Sequence, residues 1–162
     1  LRQPVIAVLN GHALGGGLEL AACADYRIAE AHIKIGQPEA GLGIIAGWSG
    51  TQRTVRRFGQ QIVRRMAVMG EVFSAVDART NGIVDQVAQA GQGLVAAQAI
   101  AQQVRARGPL ATEMSKMLIN AAEGEEVGRV LESLAGRITA GSDDLREGLA
   151  AFKGKRPPKF HD

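Results

Sequence analysis

Asn10-Gly11-His12-Ala13-Leu14-Gly15-Gly16-Gly17-Leu18-Glu19 is the stretch that decides the fold. It follows Pro4-Val5-Ile6-Ala7-Val8-Leu9, an apolar run rich in β-branched residues that reads as a buried strand. It leads into Leu18 to Ala24, where Leu18, Ala21 and Ala22 fall at helical spacing around Glu19. Consecutive glycines between a strand and a helix let the backbone approach a ligand closely. The first amides of a helix have no acceptor inside it, and with the helix dipole they favour negative charge. That charge is either a phosphate or an oxyanion that develops during a reaction. A tight connection with no ligand would use the same glycines. A P-loop needs Gly-Lys-Ser/Thr, and no Lys follows Gly17. The glycines at 11, 15, 16 and 17 do not fit the Gly-x-Gly-x-x-Gly of dinucleotide binding.

Outward from this loop, Tyr26 to Ala29 and Ile33 to Ile35 are predicted strands, and Gly36 to Gly50 is mostly loop. Thr51 to Phe58 and Gln60 to Met69 are predicted helices stopped by Gly59 and Gly70. Ser74 caps a helix over Ala75 to Thr80. A strand is expected over Ile83 to Val87. This alternation predicts an α/β layer structure for residues 1–91. Residues 92–162 read as all-helical, with helices over Leu94 to Arg107, Ala111 to Ala122, Val127 to Thr139 and Leu145 to Phe152. Gly108-Pro109 breaks the series, Ser142 caps the last helix, and Lys153 to Lys159 is a basic tail. So few large side chains make a thin helical core, which needs to pack on the first part or on another subunit.

The 162 residues are 46% hydrophobic and 22% charged, a globular balance that excludes wholesale disorder. Aromatics are only 4% against 21 glycines, so the core must be aliphatic and the backbones closely packed. The net charge of +3 is too small to argue for nucleic acid. A single cysteine, Cys23, excludes an intrachain disulfide. No apolar run approaches membrane-spanning length, and no signal peptide is expected. Opening on Leu1, three residues before a strand, suggests polypeptide upstream.

Two acids give the loop chemical content. Glu19 in the first helical turn could simply complement the dipole, and Glu39, in Gly36-Gln37-Pro38-Glu39, could be an ordinary loop acid. Two carboxylates beside one oxyanion site could instead hold a water between them, one taking a proton and the other giving one. Burial and mutual repulsion would then separate their pKa values.

Asn10-Gly11-x-Ala13-x-Gly15-Gly16-Gly17-x-Glu19-Leu20, Cys23-x-Asp25, Gly36-Gln37-Pro38-Glu39, Gly41-Leu42-Gly43 and Gly50-Thr51-Gln52-Arg53 together resemble the enoyl-CoA hydratase/isomerase (crotonase) family. The resemblance continues through Gly70-Glu71, Gly82-Ile83-Val84, Ser142-x-Asp144, Glu147-Gly148-x-x-Ala151-Phe152, Lys155-Arg156 and Pro158-x-Phe160, and so spans essentially the whole chain. It implies an incomplete spiral of ββα units over residues 1–91, lacking the N-terminal part of the core. A helical trimerisation region that also covers coenzyme A would follow over 92–162. It implies a hydro-lyase adding water syn to a 2-enoyl-CoA in fatty acid metabolism. Gly16 would offer an oxyanion-hole amide, Glu19 would be the base on water, Glu39 would deliver the α-proton, and Gly47 would help hold the water. Gly15, Leu42, Trp48 and Lys155 would bind substrate. The second oxyanion amide would come from upstream of Leu1. No metal or redox cofactor is implied, coenzyme A being part of the substrate. The implied assembly is a cytoplasmic homotrimer or dimer of trimers (a hexamer), with no membrane or nucleic-acid partner. Isomerisation through the same enolate, or a catalytically incomplete binding subunit, are the alternatives.

The family usually has Pro-Gly-x-Gly-Gly-Thr where this chain has Ala46-Gly47-Trp48-Ser49-Gly50-Thr51, so Trp48 adds bulk beside the implied acyl pocket. Gly47-Trp48-Ser49-Gly50 also faintly resembles a nucleophile elbow with Asp85 and His161 as partners, but lacks the second glycine. His12, His32, His161 and Cys23 show no metal-ligand spacing. Arg53, Arg56, Arg57, Arg64 and Arg65 read first as a solvated helix face, and aromatics for stacking on bases are scarce around them.

Overall fold

A computed structural model describes residues 1–122 and 137–160. The expected helix over Val127 to Thr139 lies largely outside the described residues, as does His161.

Two three-stranded sheets carry the first part of the chain. One is all parallel and ordered β1 (Ile6–Leu9), β3 (Tyr26–Glu30), β6 (Gln86–Ala88). The other places β4 (Lys34–Gly36) between β2 (Ala13–Leu14), parallel to it, and β5 (Val72–Ser74), antiparallel to it. Between the strands run α1 (Gly16–Ala21), α2 (Gln52–Phe58), α3 (Gln60–Ala67) and α4 (Ala75–Thr80). Then come α5 (Gly93–Arg105), α6 (Pro109–Ala122) and α7 (Asp143–Lys153). This is the α/β arrangement the alternation predicted.

The core is aliphatic, as the composition requires. Leu18, Ile28, Ile33, Ile35, Met66 and Ile83 are fully buried, with Ala21, Ala22, Ala29, Ala75 and Ala78 filling between them. Burying each of the larger side chains is worth about 1.5–3 kcal/mol. Small side chains bring backbones together. At Gly93 an added Cβ would lie 2.6 Å from Val8 Cγ1, so α5 starts in close contact with β1. The start of α5 is also fastened electrostatically, since the buried Glu30 carboxylate accepts from the Gly91 and Gly93 amides at 2.9 and 3.1 Å. Those two hydrogen bonds hold its pKa below the ordinary carboxylate value, against the opposing effect of burial.

One buried cation ties the parallel sheet together. Arg27 donates from Nε to Ile83 O at 2.9 Å and from Nη1 to Ala24 O at 2.9 Å, and its Nη2 meets Asp85 at 3.1 Å. Asp85 also accepts from the Arg27 amide at 2.7 Å. Both Asp85 contacts are therefore structural, and the elbow-type partnership with Ser49 has no support here.

Several elements differ from expectation. The Ile83 and Val84 amides donate back to Ala78 O, closing α4, the Asp85 amide donates to Arg27 O of β3 at 2.9 Å, and β6 starts at Gln86. β2 and β5 went unpredicted because strands of two and three residues carry too little alternation to show in a sequence. Pro109 does not merely break the chain but opens α6 as its first residue, where a missing N–H costs nothing. The basic tail is tied to the preceding helix: Arg156 grips Glu147 through both terminal nitrogens at 2.6 and 2.8 Å, and the Lys159 amide donates to the same carboxylate at 2.7 Å.

Candidate active site

The glycine loop takes the form its sequence predicts, with α1 starting two residues early. Gly15 sits at φ 55°, a left-handed conformation that favours glycine. Its amide donates to Gly36 O at 3.0 Å, which anchors the loop to β4. Its carbonyl accepts from the Leu18 and Glu19 amides at 2.9 and 3.1 Å, which starts the helix. The Gly16 amide, first in α1, has no intrahelical acceptor and none among the other described residues.

Glu19 is buried in that first turn, 5% exposed. Its Oε1 accepts from the Trp48 amide at 2.7 Å. Gly50 closes tightly over it, since a Cβ at 50 would overlap Ala46 Cβ and lie 2.5 Å from Glu19 Oε1 and 2.7 Å from Gln37 Nε2. Gln37 holds that junction by donating from Nε2 to Gly50 O at 2.7 Å, and the Thr54 hydroxyl donates to the same oxygen.

Glu39 arrives from a different element, a 3-10 turn over Glu39–Leu42. Its Oε1 lies 2.9 Å from where a Cβ of Gly15 would be. Glu19 Oε2 lies 3.8 Å from the corresponding point at Gly16. Neighbouring α-carbons are about 3.8 Å apart, so both carboxylates converge on the same two glycines. Glu39 Oε2 is buried and unpartnered among the described residues. Burial pushes the Glu39 pKa above the ordinary carboxylate value, against the pull of a hydrogen bond from its own amide, and the neighbouring Glu19 charge adds a smaller push upward. A carboxyl held this way keeps its proton more readily than a free one.

The remaining predicted residues divide. Trp48 is 79% exposed, yet its ring atoms come within 3.6 Å of the Gly16 Cβ position, so it borders the free amide from the solvent side. Gly47 is exposed in the same turn and adjoins the amide that Glu19 accepts. Leu42 is half-buried on the Glu39 turn. Lys155 is exposed beyond α7, at φ 49°, and among the described residues no hydrogen bond or ion pair joins it to Gly16, Glu19 or Glu39. The sequence gives no sign of the Trp48 amide as partner of Glu19, because a backbone donor carries no residue-type signature. The buried Gln37, one residue of the Gly36-Gln37-Pro38-Glu39 motif, acts as a brace, which its residue type alone does not signal. An open cavity of about 640 Å³ runs along β1 and the outer side of the glycine loop, lined by residues such as Val5, Leu9, Gly11 and Leu20, and contains neither acid. Among the described residues no three His, Cys, Asp or Glu side chains gather as a metal site would require.

An unpaired amide flanked by two carboxylates, one of them inclined to keep its proton, suits proton transfer to and from a substrate whose oxygen becomes negative. Comparison with known proteins points the same way. The enoyl-CoA hydratase/isomerase family model matches residues 1–162. A crotonyl-CoA hydratase of Syntrophomonas wolfei is 38% identical over 99% of this chain and 62% of its own length. An enoyl-CoA isomerase/hydratase of Mycosarcoma maydis is 42% identical over 97% of this chain and 58% of its own. The crystal structure of a carnitinyl-CoA hydratase from Mycobacterium avium superposes with a TM-score of 0.93 at 33% identity, covering 99% of this chain and 63% of that one. The chain thus spans about three-fifths of the length of these proteins. Its fold is of the crotonase type, and the chain belongs to the enoyl-CoA hydratase/isomerase family.

Proposed function

We propose that the protein hydrates a 2-enoyl-CoA thioester to the 3-hydroxyacyl-CoA. The observation that carries this reading is the convergence of Glu19 and Glu39 on Gly15 and Gly16, beside the free Gly16 amide. In this reading the thioester oxygen accepts from the Gly16 amide. A water between the two acids gives a proton to Glu19 as its oxygen bonds to C3. The π electrons move to the thioester oxygen as an enolate, quieted by the amide. Collapse of the enolate takes the proton of Glu39 onto C2. The proton gained at Glu19 then replaces the one lost from Glu39, so atoms and charge balance over the cycle.

The fastening of Glu19 supports its part as the charged base: the Trp48 amide stabilises the ionised form. The raised pKa of Glu39 supports its part as the acid. Gly15 leaves room for the Glu39 carboxyl, Gly47 shapes the turn that holds the water, and Trp48 and Leu42 border the acyl chain. Lys155 would reach the coenzyme A phosphates, which is an electrostatic reading of an exposed cation. A boundary near residue 91, a trimer or dimer of trimers built on the later helices, a cytoplasmic location and the absence of a cofactor belong to the same proposal. No described helix is long and apolar enough to cross a membrane.

Crotonyl-CoA offered to the intact polypeptide in ¹⁸O-labelled water is the test. Labelled 3-hydroxybutyryl-CoA, lost on Glu39→Gln, supports hydration. Double-bond migration without label would replace it with an isomerase, and no turnover would leave a binding subunit.

A further inference from the structure

We infer that α7 is a positioning wall for the proton donor, with Gly148 and Gly43 as the points of contact that set where the Glu39 carboxyl stands. The inference rests on the reading of Glu39 as the acid and extends it to a helix remote in sequence.

The turn that carries Glu39 has little of its own to hold it. None of its four residues is buried. It closes through local backbone bonds, with Gly41 donating to Pro38 O at 3.0 Å, Gly43 to Ala40 O at 3.1 Å and to Glu39 O, and Ile44 to Glu39 O at 3.3 Å. Short 3-10 segments have poorer hydrogen-bond geometry than α-helices and need outside support.

That support is backbone pressed on backbone. A Cβ added at Gly148 would overlap the Leu42 carbonyl carbon and oxygen and lie 2.7 Å from Leu42 Cα. A Cβ at Gly43 would overlap the Asp144 carbonyl and lie 2.7 Å from Leu145 N, and Gly43 is itself left-handed at φ 74°. No rotamer change relieves either contact, because every atom met is main chain. α7 is in turn fixed at both ends. Ser142 accepts from the Leu145 amide at 3.2 Å and donates to Thr139 O at 2.7 Å. The Glu147–Arg156 clasp folds the tail back on its far end. Gly148 and Ala151 are the residues of α7 that are buried. The Glu39 carboxyl fills the space a side chain at Gly15 would take, its Oε1 lying 2.9 Å from where that Cβ would be. The acidic groups near this contact are Glu19, from α1, and Asp144, at the start of α7.

The test reads Glu39 directly. The intact polypeptide is labelled with ¹³C at glutamate carboxyls, and the Glu39 line is assigned by its loss in Glu39→Gln. Gly148→Ala is expected to move the Glu39 titration down toward the ordinary carboxylate range. It should also lower kcat for crotonyl-CoA about ten- to a hundred-fold, with KM changed less than about three-fold, as a misplacement near 1 Å does. Ser142→Ala, which loosens α7 without adding bulk, should shift both in the same direction, with kcat down about two- to ten-fold. Gly141→Ala, whose Cβ would meet nothing closer than 3.7 Å, should change neither. An unmoved Glu39 titration in folded Gly148→Ala overturns the inference whatever kcat does; if that variant does not fold, the same result in Ser142→Ala overturns it. If the wild type fails to hydrate crotonyl-CoA but Gly148→Ala still moves the titration, the wall stands and the hydratase reading falls.

Discussion

Glu19 and Glu39 meet at one pair of glycines but are held in opposite ways. Glu19 stands on a helix, buried, with one oxygen bonded to the Trp48 amide and the chain closed over it at Gly50. Glu39 stands on a turn with no buried residue, and one of its oxygens is enclosed without a partner. Hydrogen bonding to a carboxylate favours the ionised form, and enclosure without bonding favours the protonated one. Two identical side chains are thereby suited to two tasks, and the difference lies entirely in what surrounds them.

Removing either acid should harm turnover most. Glu19→Gln is expected to lower kcat/KM for crotonyl-CoA about 10²- to 10⁴-fold, the usual worth of a positioned base; a loss under ten-fold in steady-state kinetics would break the assigned division. Gly50→Ala attacks the fastening without touching the acid. Its Cβ would crowd Glu19, Gln37 and Ala46 at once, and overpacking of this kind costs about 1–3 kcal/mol of stability in urea titration. Activity should fall with it, by less than for Glu19→Gln.

The acid on the turn gives a subtler result in stability. The Glu39 pKa is raised in the folded state, so its favourable contribution is full below the ordinary carboxylate range and is lost as pH rises through the raised value. At neutral pH the unfolded chain ionises this group freely while the folded chain resists it, so Glu39 opposes folding there. Glu39→Gln should raise Tm at neutral pH while abolishing hydration, each kcal/mol appearing as about 2–4 °C in a chain of this size. The gain should vanish on acidification below the carboxylate range.

Glu30 offers the reversed case. Its pKa is lowered by the Gly91 and Gly93 amides, so its contribution is present above the ordinary carboxylate value and is lost as pH falls through the lowered one. Glu30→Gln should lower Tm slightly at neutral pH and have no effect in strong acid, with kcat unchanged. If Glu30→Gln and Glu39→Gln shift Tm in the same direction at neutral pH, the contrast between bonded and unbonded enclosure fails.

How far these features were legible in the sequence follows from their physical range. The glycine loop, its helix, the glycine stops after Phe58 and the caps at Ser74 and Ser142 are local, and local chemistry is written in adjacent residues. Both acids were identifiable as candidates from their place beside that loop and from resemblance. What escaped was long-range or carried by backbone. β5 exists because β4 pairs with it, residues 83 and 84 turn back because Ala78 O accepts their amides, and Trp48 matters to Glu19 through its amide rather than its indole. The glycine of Glu147-Gly148 was visible as part of a motif, but nothing local says that a carbonyl lies against it.

The bare α-carbon at 148 also bears on how such a protein can drift. A codon there that gains any side chain changes no charge, no nucleophile and no contact with substrate, yet it would push the carbonyl of Leu42 aside. Selection on the proposed proton donor would then be felt in the closing helix, and a harmless-looking alanine at that site would mark a lineage that has stopped using the acid or has rebuilt its support.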